Sequence, residues 1–148
     1  MRLFDLNVLL YAVNQDAPQH TRSLAVWEQA LAGNEPVGLS WSVILGFLRL
    51  TKRTTVFPNP LTVRQAVEVV TGWLRHPNVC VVQPGERHWE LLSELLLDAG
   101  TAANLTTDAH LAVLAIEGGA VLVSTDRDFA RFAPTLRCVN PITDARVL

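Results

Sequence analysis

The sequence predicts an α/β fold built on a parallel sheet. Short stretches that are apolar throughout, such as "AVLVS" at 120–124, alternate with longer segments of helical periodicity. Strands of this kind are typical of a parallel sheet that helices cover on both faces. The chain has 148 residues, of which 49% are hydrophobic, and this is enough to bury a substantial core. We therefore expect a single domain over residues 1–148.

Caps and helical periods support the individual elements. Asn7 and Ser40 are predicted to cap helices that follow strands, and Thr62 with Gln65 forms a capping-box pattern. Gly100 is predicted to end a later helix. In chain order, the predicted elements are strand 2–5, helix 8–13, helix 21–33, strand 36–40, helix 41–51, helix 61–76, strand 78–82, helix 86–100, helix 104–119, strand 120–124 and strand 136–140.

Composition excludes several classes of protein. The longest apolar runs fall well short of the roughly 20 residues that span a bilayer. Asp5 and Asn7 interrupt the apolar N-terminus, so we expect no signal peptide and a cytoplasmic location. Cys80 and Cys138 lie in short apolar stretches and are predicted to be buried strand thiols. The formal net charge of -2 does not indicate a nucleic-acid binder, but acids gathered in one pocket can coexist with a basic rim.

Three acidic residues are predicted to converge at one edge of the sheet. Asp5 follows the apolar run "RLF", and Asp126 follows "AVLVS". In an open parallel sheet the ligand crevice lies beyond the carboxyl ends of the strands, so both side chains would face it. Asp108 lies in the first turn of a predicted helix, and Asp128 follows Asp126 by two residues.

Each of these acids, taken singly, also has an ordinary structural explanation. The positive end of its own helix would stabilise Asp108, while Asp128 could cap the turn "RDFARF" and Asp5 could hydrogen-bond the turn that follows it. Taken together, crowded carboxylates raise one another's pKa and cost folding free energy unless a cation neutralises them. An all-oxygen cluster suits Mg²⁺, or Mn²⁺ in its place. Hydrolysis of phosphodiester bonds by a metal-activated water is the chemistry expected of such a site.

Three blocks of the chain form a recognisable set: "FDLNVLLYA", "SWSVILGFLRLTKRT" and "NLTTDAHLAVLAIEGGAVLVSTDRDFARF", of which the last is the most specific. Together they resemble the PIN domain family, and in particular the VapC toxins of bacterial toxin–antitoxin pairs. The resemblance implies a PIN-like three-layer α/β/α sandwich with a central parallel sheet. It also implies Mg²⁺-dependent endoribonuclease activity, a homodimer and a small VapB-like antitoxin as partner.

The resemblance assigns roles to particular acids. Asp5, Asp108 and Asp126 match the acids of the family motif and are the expected catalytic and metal-binding residues. Asp128 is expected to be a fourth acid, either behind these ligands or completing a second metal site.

The comparison with the family also concerns two polar residues beside the acids and one position where this chain differs from the family pattern. Asn7 and Thr125 are expected to orient Asp5 and Asp126. Many PIN nucleases carry a glutamate in the helix after the second strand, where this chain has Gly46. A branch of VapC-like proteins shares the "LGFLR" pattern, so Gly46 does not imply inactivity, but it puts a full two-metal site in doubt.

The residues around the predicted site are less specific. Trp27 and Trp73 lie on apolar helical faces and are expected in the core. The four histidines show no paired motif and are expected to be structural or exposed. The basic residues that could neutralise RNA phosphates, or simply be surface charges, are Arg49, Lys52, Arg53 and Arg127.

The leading hypothesis is a toxin-type endoribonuclease that cuts structured RNA, such as tRNA or ribosomal RNA. The main alternative is a PIN-like module, degenerate at Gly46, that binds RNA or a protein without cutting. A nuclease of similar architecture that acts on DNA is a third possibility.

Overall fold

The residues that the computed structural model describes, 1–100 and 105–144, form five short strands and six α-helices. The strands are β1 (Arg2–Phe4), β2 (Val37–Leu39), β3 (Val79–Val81), β4 (Val121–Val123) and β5 (Cys138–Val139). The helices are α1 (Leu6–Val13), α2 (His20–Ala32), α3 (Trp41–Leu50), α4 (Val63–Arg75), α5 (His88–Ala99) and α6 (Leu105–Glu117), and a 3₁₀ helix covers Arg127–Phe132. The predicted order of strands and helices is confirmed. Residue 104, where the helix before β4 was predicted to start, lies outside the described residues.

All five strands run parallel in one sheet with the order β3-β2-β1-β4-β5. The chain moves outward from β1 through β2 to β3, and then returns to the other side of β1 to form β4. The strand order therefore reverses between β1 and β4. This boundary is the topological switch point, the position where open α/β sheets bind their ligands.

The helices cover the sheet as a three-layer α/β/α sandwich, as predicted. α1 packs against α2 and α3, and α3 packs against α4, whereas α5 packs against α6. Trp27 and Trp73 lie in the core, as expected. Trp27 packs edge-to-face on Phe4 with ring centroids 5.0 Å apart, and on Trp73 with centroids 5.6 Å apart. Because edge-to-face pairs stabilise beyond their buried area, these rings fix α2 and α4 against the central strand.

Most predicted helix caps are confirmed. Ser40 accepts a hydrogen bond from the backbone of α3, and Thr62 forms the full capping box with Gln65. Gly100 ends α5 in the left-handed conformation, at φ 66°. The predicted cap at Asn7 is wrong, because α1 starts at Leu6, two residues before the predicted start, and Asp5 caps it.

Both cysteines are exposed, so the prediction of buried thiols is wrong. They lie in β3 and β5, the two edge strands of the sheet, where each strand has a neighbour on one side only. The loop 51–60 is largely exposed, although Phe57 anchors it in the core with 4% of its surface exposed. Within the described residues, no helix has the length and apolar character needed to cross a bilayer.

Candidate active site

Asp5 and Ser124 meet where β1 and β4 end. The register pairs Phe4 with Val123, so the residues that follow emerge side by side at the carboxyl edge of the sheet. Ser124 Oγ donates a hydrogen bond to Asp5 Oδ2 at 2.7 Å. The backbone N–H of Leu6 donates to Asp5 Oδ1 at 2.7 Å. Both oxygens of this buried carboxylate are therefore held by donors.

A pocket at this edge brings together the three predicted acids. Asp5, Asp108 and Asp126 line a cavity of about 200 Å³. Asp108 extends from the first turn of α6, and Asp126 immediately precedes the 3₁₀ helix. The structure thus gathers three acids that are far apart in sequence. The other residues that line the cavity are Leu6, Asn7, Ser42, Val43, Thr107 and Leu111.

Burial and mutual repulsion disfavour the charged form of two of these acids. Desolvation by burial raises the pKa of Asp5 and outweighs the hydrogen bonds that the carboxylate accepts. The pKa of Asp108 is raised to about 6, first by desolvation and then by the charges of Asp5, Asp126 and Asp128. A nearby cation would reverse both effects, because it favours the charged form of each carboxylate.

Asp128 lies outside this pocket. Its backbone N–H donates to Asp126 Oδ1 at 2.9 Å, so Asp126, and not Asp128, caps the 3₁₀ helix. The Asp128 carboxylate is half exposed and lies 3.6 Å from the guanidinium of Arg131. A role for Asp128 in binding a metal stays a prediction.

Ser124 is the residue of this site that the sequence did not reveal. Its hydroxyl donates to Asp5 and also accepts the backbone N–H of Asp126, at 3.0 Å. Thr125 uses its carbonyl oxygen to accept from Asn140 at 3.4 Å, and Asn7 lines the pocket. Within residues 1–100 and 105–144, the side-chain hydrogen bond that orients Asp5 comes from Ser124 and not from the two neighbours that we expected. The only signal in the sequence is the position of Ser124 directly after an apolar strand.

Gly46 lies one turn along α3 from the pocket and faces Leu6. A Cβ atom at Gly46 would lie 2.6 Å from Leu6 Cδ2, closer than real Cβ contacts. Leu6 itself lines the pocket. A leucine methyl group therefore fills the space beside position 46, and this wall of the pocket is apolar.

The acids of the pocket suit a hard divalent cation. As they stand, no three His, Cys, Asp or Glu side chains of the described ranges lie close enough together to hold a metal ion. The carboxylates instead surround a cavity of about 200 Å³, which is wide enough for several waters. Mg²⁺ commonly binds through a few carboxylates and keeps several of its waters. Asp5, Asp108 and Asp126 therefore fit an ion that is held partly through water.

The predicted basic residues fall in two places. Arg127 is exposed and directly follows Asp126, which lines the pocket. The other three lie at or beyond the C-terminal end of α3. Arg49 is roughly 10 Å along the helix axis from Ser42 at the pocket, and the other two follow the end of the helix. Contact between RNA and these residues, Arg49, Lys52 and Arg53, stays a prediction.

Two histidines form a pair, contrary to our expectation from the sequence. His88 Nε2 and His110 Nδ1 lie 2.8 Å apart, and His88 Nδ1 lies 2.9 Å from Glu117 Oε2. The same carboxylate oxygen accepts the backbone N–H of Gly85 at 3.0 Å. His88 belongs to α5 and the other two side chains to α6, so this cluster connects the two helices.

The fold and the pocket together define a class of protein: an α/β protein with an acidic pocket at the switch point of its parallel sheet, where the carboxylates can bind a cation. The chain belongs to the PIN domain family, whose model matches residues 2–134. This finding confirms the resemblance seen in the sequence.

Curated relatives match most of the chain. Ribonuclease VapC37 of Mycobacterium tuberculosis is 45% identical over 132 residues, which cover 89% of this chain and 92% of the relative. Ribonuclease VapC33 of Mycobacterium tuberculosis is 41% identical over 140 residues, which cover 95% and 97%. VapC ribonuclease Mb2897 of Mycobacterium bovis is 38% identical over 142 residues, which cover 96% of each chain.

Solved structures share the fold at low sequence identity. The crystal structure of VapBC2 from Rickettsia felis, bound to a DNA fragment from its promoter, contains a chain with a TM-score of 0.66 and 18% identity. The match covers 94% of this chain and 97% of that one. VapBC-1 from nontypeable Haemophilus influenzae has the same TM-score and identity, with 95% and 98% covered. At this identity the likeness supports the PIN-like α/β/α fold alone.

Proposed function

We propose that this protein is a metal-dependent endoribonuclease and the toxin of a toxin–antitoxin pair. The observation that carries the proposal is the gathering of Asp5, Asp108 and Asp126 in one pocket at the switch point of the sheet. Relatives that are 38% to 45% identical over most of their length are named ribonucleases, which supports RNA as the substrate.

The proposed cofactor is Mg²⁺, with Mn²⁺ as a substitute. Asp5, Asp108 and Asp126 would hold the ion, and Asp128 is close enough to influence it electrostatically. When bound, such an ion would lower the pKa of a water and offset negative charge on the phosphoryl oxygens. The apolar wall formed by Leu6 beside Gly46 favours one ion over two.

Two properties of the acidic residues determine whether this pocket can bind the ion: the orientation of Asp5 and the protonation of Asp108. Ser124 and the backbone of Leu6 hold the two oxygens of Asp5, so that its carboxylate keeps a fixed orientation. Asp108, with a pKa of about 6, must lose its proton before it can act as a ligand. Attack by water would leave a 5′-phosphate and a 3′-hydroxyl on the RNA products. A cyclic phosphate would instead indicate attack by the ribose 2′-hydroxyl.

The proposed substrate is structured RNA, such as tRNA or ribosomal RNA, cut in the cytoplasm. Arg127, exposed beside Asp126, is placed to neutralise a phosphate next to the cleaved bond. Arg49, Lys52 and Arg53 would contact the RNA further along the strand.

The proposed partners are a small VapB-like antitoxin and a second copy of this chain. The structural neighbours are VapBC complexes, which supports the antitoxin. We expect the antitoxin to place a basic side chain in the acidic pocket, where it would displace metal or substrate. A double variant with alanine at Asp5 and Asp126 that binds its antitoxin with unchanged affinity would count against this contact.

The test is sequencing of RNA 5′ ends after brief expression of the wild-type protein and of Asp5→Asn in growing cells. Discrete new ends that depend on Asp5 would establish the nuclease and identify its RNA. Absence of new ends, with folded wild-type protein present, would contradict the proposal.

A binding module without nuclease activity is the second candidate, and Gly46 is the observation that favours it. The wall at this position offers a leucine methyl group where many PIN nucleases have a carboxylate. If neither protein produces new ends, crosslinking of RNA to the wild-type protein would support the binding module.

A further inference from the structure

A second cleft opens directly beside the acidic pocket. Its volume is about 570 Å³, and Asp126 lines both cavities. This volume falls within the roughly 300–1,000 Å³ of ordinary small-molecule sites. The proposed chemistry at Asp126 leaves the second cleft unexplained.

The floor of this cleft is apolar. It is formed by Phe129, Ala130 and Leu136, of which the first and last are core residues. Cys138 adds its thiol to the wall although the residue as a whole is exposed. Partial burial, followed by the charges of Asp5 and Asp144, raises the pKa of this thiol to about 11. The thiol is therefore neutral at physiological pH and adds no charge to the wall.

The rim of the cleft is polar and internally braced. Asp144 Oδ2 accepts the backbone N–H of Asn140 at 2.8 Å, and Asn140 Oδ1 accepts the backbone N–H of Ile142 at 2.9 Å. Thr143 completes this rim. Asp144 lines the cleft, and the bond to its Oδ2 holds the carboxylate at the rim.

The charged residues around the cleft disfavour a phosphate group inside it but favour one at its entrance. Asp126 and Asp144 place two carboxylates on its walls, which would repel an anion. Arg127 also lines the cleft, and the ion pairs of residues 1–100 and 105–144 do not include it. Its guanidinium can therefore meet a phosphate of the RNA backbone.

We propose that this cleft binds an unpaired nucleobase next to the phosphate at the acidic pocket, and that it selects a base with an exocyclic amino group. The inference rests on the proposed function, since RNA places a flat base within one nucleotide of each phosphate. The apolar floor matches the face of a base, and the carboxylate of Asp144 accepts from an amino group on its edge. Uracil presents a carbonyl oxygen at the position where cytosine carries its amino group, and that oxygen would face the carboxylate.

The experiment compares the binding of fluorescein-labelled oligocytidine and oligouridine 12-mers, which differ at this amino group. Fluorescence anisotropy in EDTA measures affinity without cutting the RNA. We expect the wild type to bind oligocytidine about tenfold more tightly than oligouridine, within the range of base contacts. Asp144→Asn should reduce this preference, because its amide can also donate to the uracil carbonyl.

Ala130→Trp fills the cleft and should remove the preference. Ala32→Trp is the matched control, because Ala32 is exposed at the end of α2 that leads to the amino-terminal edge of the sheet. It should bind both oligomers like the wild type. If Ala130→Trp does not fold, as judged by circular dichroism, Asp144→Asn alone decides.

Equal affinity of the wild type for both oligomers would overturn the inference. So would an unchanged preference for oligocytidine in both Asp144→Asn and Ala130→Trp. A cleft variant that keeps the preference but loses antitoxin binding would assign the cleft to the protein partner, and also overturn it. The experiments distinguish failure of the proposed nuclease activity from failure of the proposed base-binding cleft. Cleavage of RNA without base preference contradicts the cleft alone, whereas base preference without any cleavage in Mg²⁺ contradicts only the nuclease.

Discussion

Ser124 donates a hydrogen bond of 2.7 Å to Asp5 across the boundary between β4 and β1. The pair exists because the parallel register brings the first residues beyond these two strands side by side. The same serine oxygen accepts the N–H of Asp126. One hydroxyl group thus positions two of the three acids of the pocket.

Removal of this hydroxyl should impair cleavage. A hydrogen bond to a charged group contributes about 1.5–3 kcal/mol, so Ser124→Ala should lower kcat/KM by about tenfold to a hundredfold. Thr125→Ala, at the next position, is the control and should have a much smaller effect. Steady-state cleavage of the target RNA measures both. A larger loss in Thr125→Ala would show that Thr125 orients the acids after all.

Cleavage should depend on pH through Asp108. The pKa of about 6 lies above the ordinary value of 3.8, so the carboxyl group is protonated below pH 6 and cannot bind metal. At subsaturating Mg²⁺ the rate should fall about tenfold per unit of pH below this value, as expected for a single proton. A higher Mg²⁺ concentration should move the midpoint to lower pH, because the ion competes with the proton. A midpoint that ignores Mg²⁺ would contradict a ligand role for Asp108.

The metal-free protein should become more stable when Asp108 is neutral. Since the folded pKa of about 6 exceeds the ordinary 3.8, ionisation of Asp108 lowers stability progressively as pH rises between these values. In EDTA, Asp108→Asn should therefore raise the Tm above pH 6 and leave it unchanged below about pH 4. Added Mg²⁺ should raise the Tm of the wild type more than that of the variant. Equal Tm values at pH 7 in EDTA would rule out this electrostatic strain.

A glutamate introduced at position 46 should need space that the Leu6 side chain now occupies. Gly46→Glu forces its Cβ against Leu6 Cδ2, which is the end of a flexible side chain and can shift, so we expect a cost of about 1 kcal/mol, the low end for overpacking. The double variant with Leu6→Ala should recover part of that loss in denaturant unfolding. Cleavage assays on the same proteins then separate the alternatives. A large gain of cleavage in the double variant over Leu6→Ala alone would favour the degenerate module.

The histidine cluster should stabilise the contact between α5 and α6. His88→Ala leaves Glu117 and His110 without their shared partner, and we expect a loss of about 1–3 kcal/mol in the free energy of unfolding. Burial raises the pKa of Glu117, but hydrogen bonds from His88 and Gly85 outweigh it and the net shift is downward. A lowered pKa stabilises the fold above the ordinary 4.5, and this contribution is lost as pH falls through the folded value.

The destabilisation by His88→Ala should therefore be largest above pH 4.5 and shrink in acid. His76→Ala is the control, because the hydrogen bond of that ring is local: it accepts the backbone N–H of Asn78, two residues further along the chain. Urea unfolding at several pH values measures both variants. If both variants lose the same free energy of unfolding, the histidine cluster has no special stabilising role.

The fold was predictable because its signals are local. Ser40, Thr62 with Gln65, and Gly100 each lie at a helix end where the sequence placed them. Wholly apolar strands indicated parallel pairing on the same basis. The errors at Cys80 and Cys138 arose because the order of strands in the sheet, and hence the identity of its edges, is not a local property.

The acids of the candidate site were predictable, whereas their surroundings were not. Asp5 and Asp126 follow strands, and that position alone predicts the edge at which they meet. The bond from Ser124 depends on the register between β1 and β4, and the His88 pair depends on how two helices pack. The contact between Gly46 and Leu6 joins two helices as well. Sequence patterns that describe one element at a time do not contain these relationships.

The pairing of the first strand with a late one has a consequence during synthesis of the chain. Asp5 leaves the ribosome early, yet its partner Ser124 is 119 positions further along. Until β4 emerges, the central strand lacks one neighbour and the three acids cannot meet. A polypeptide that terminates prematurely ahead of β4 therefore cannot assemble the pocket, so translation itself delays the appearance of the complete acidic pocket until most of the chain has been made.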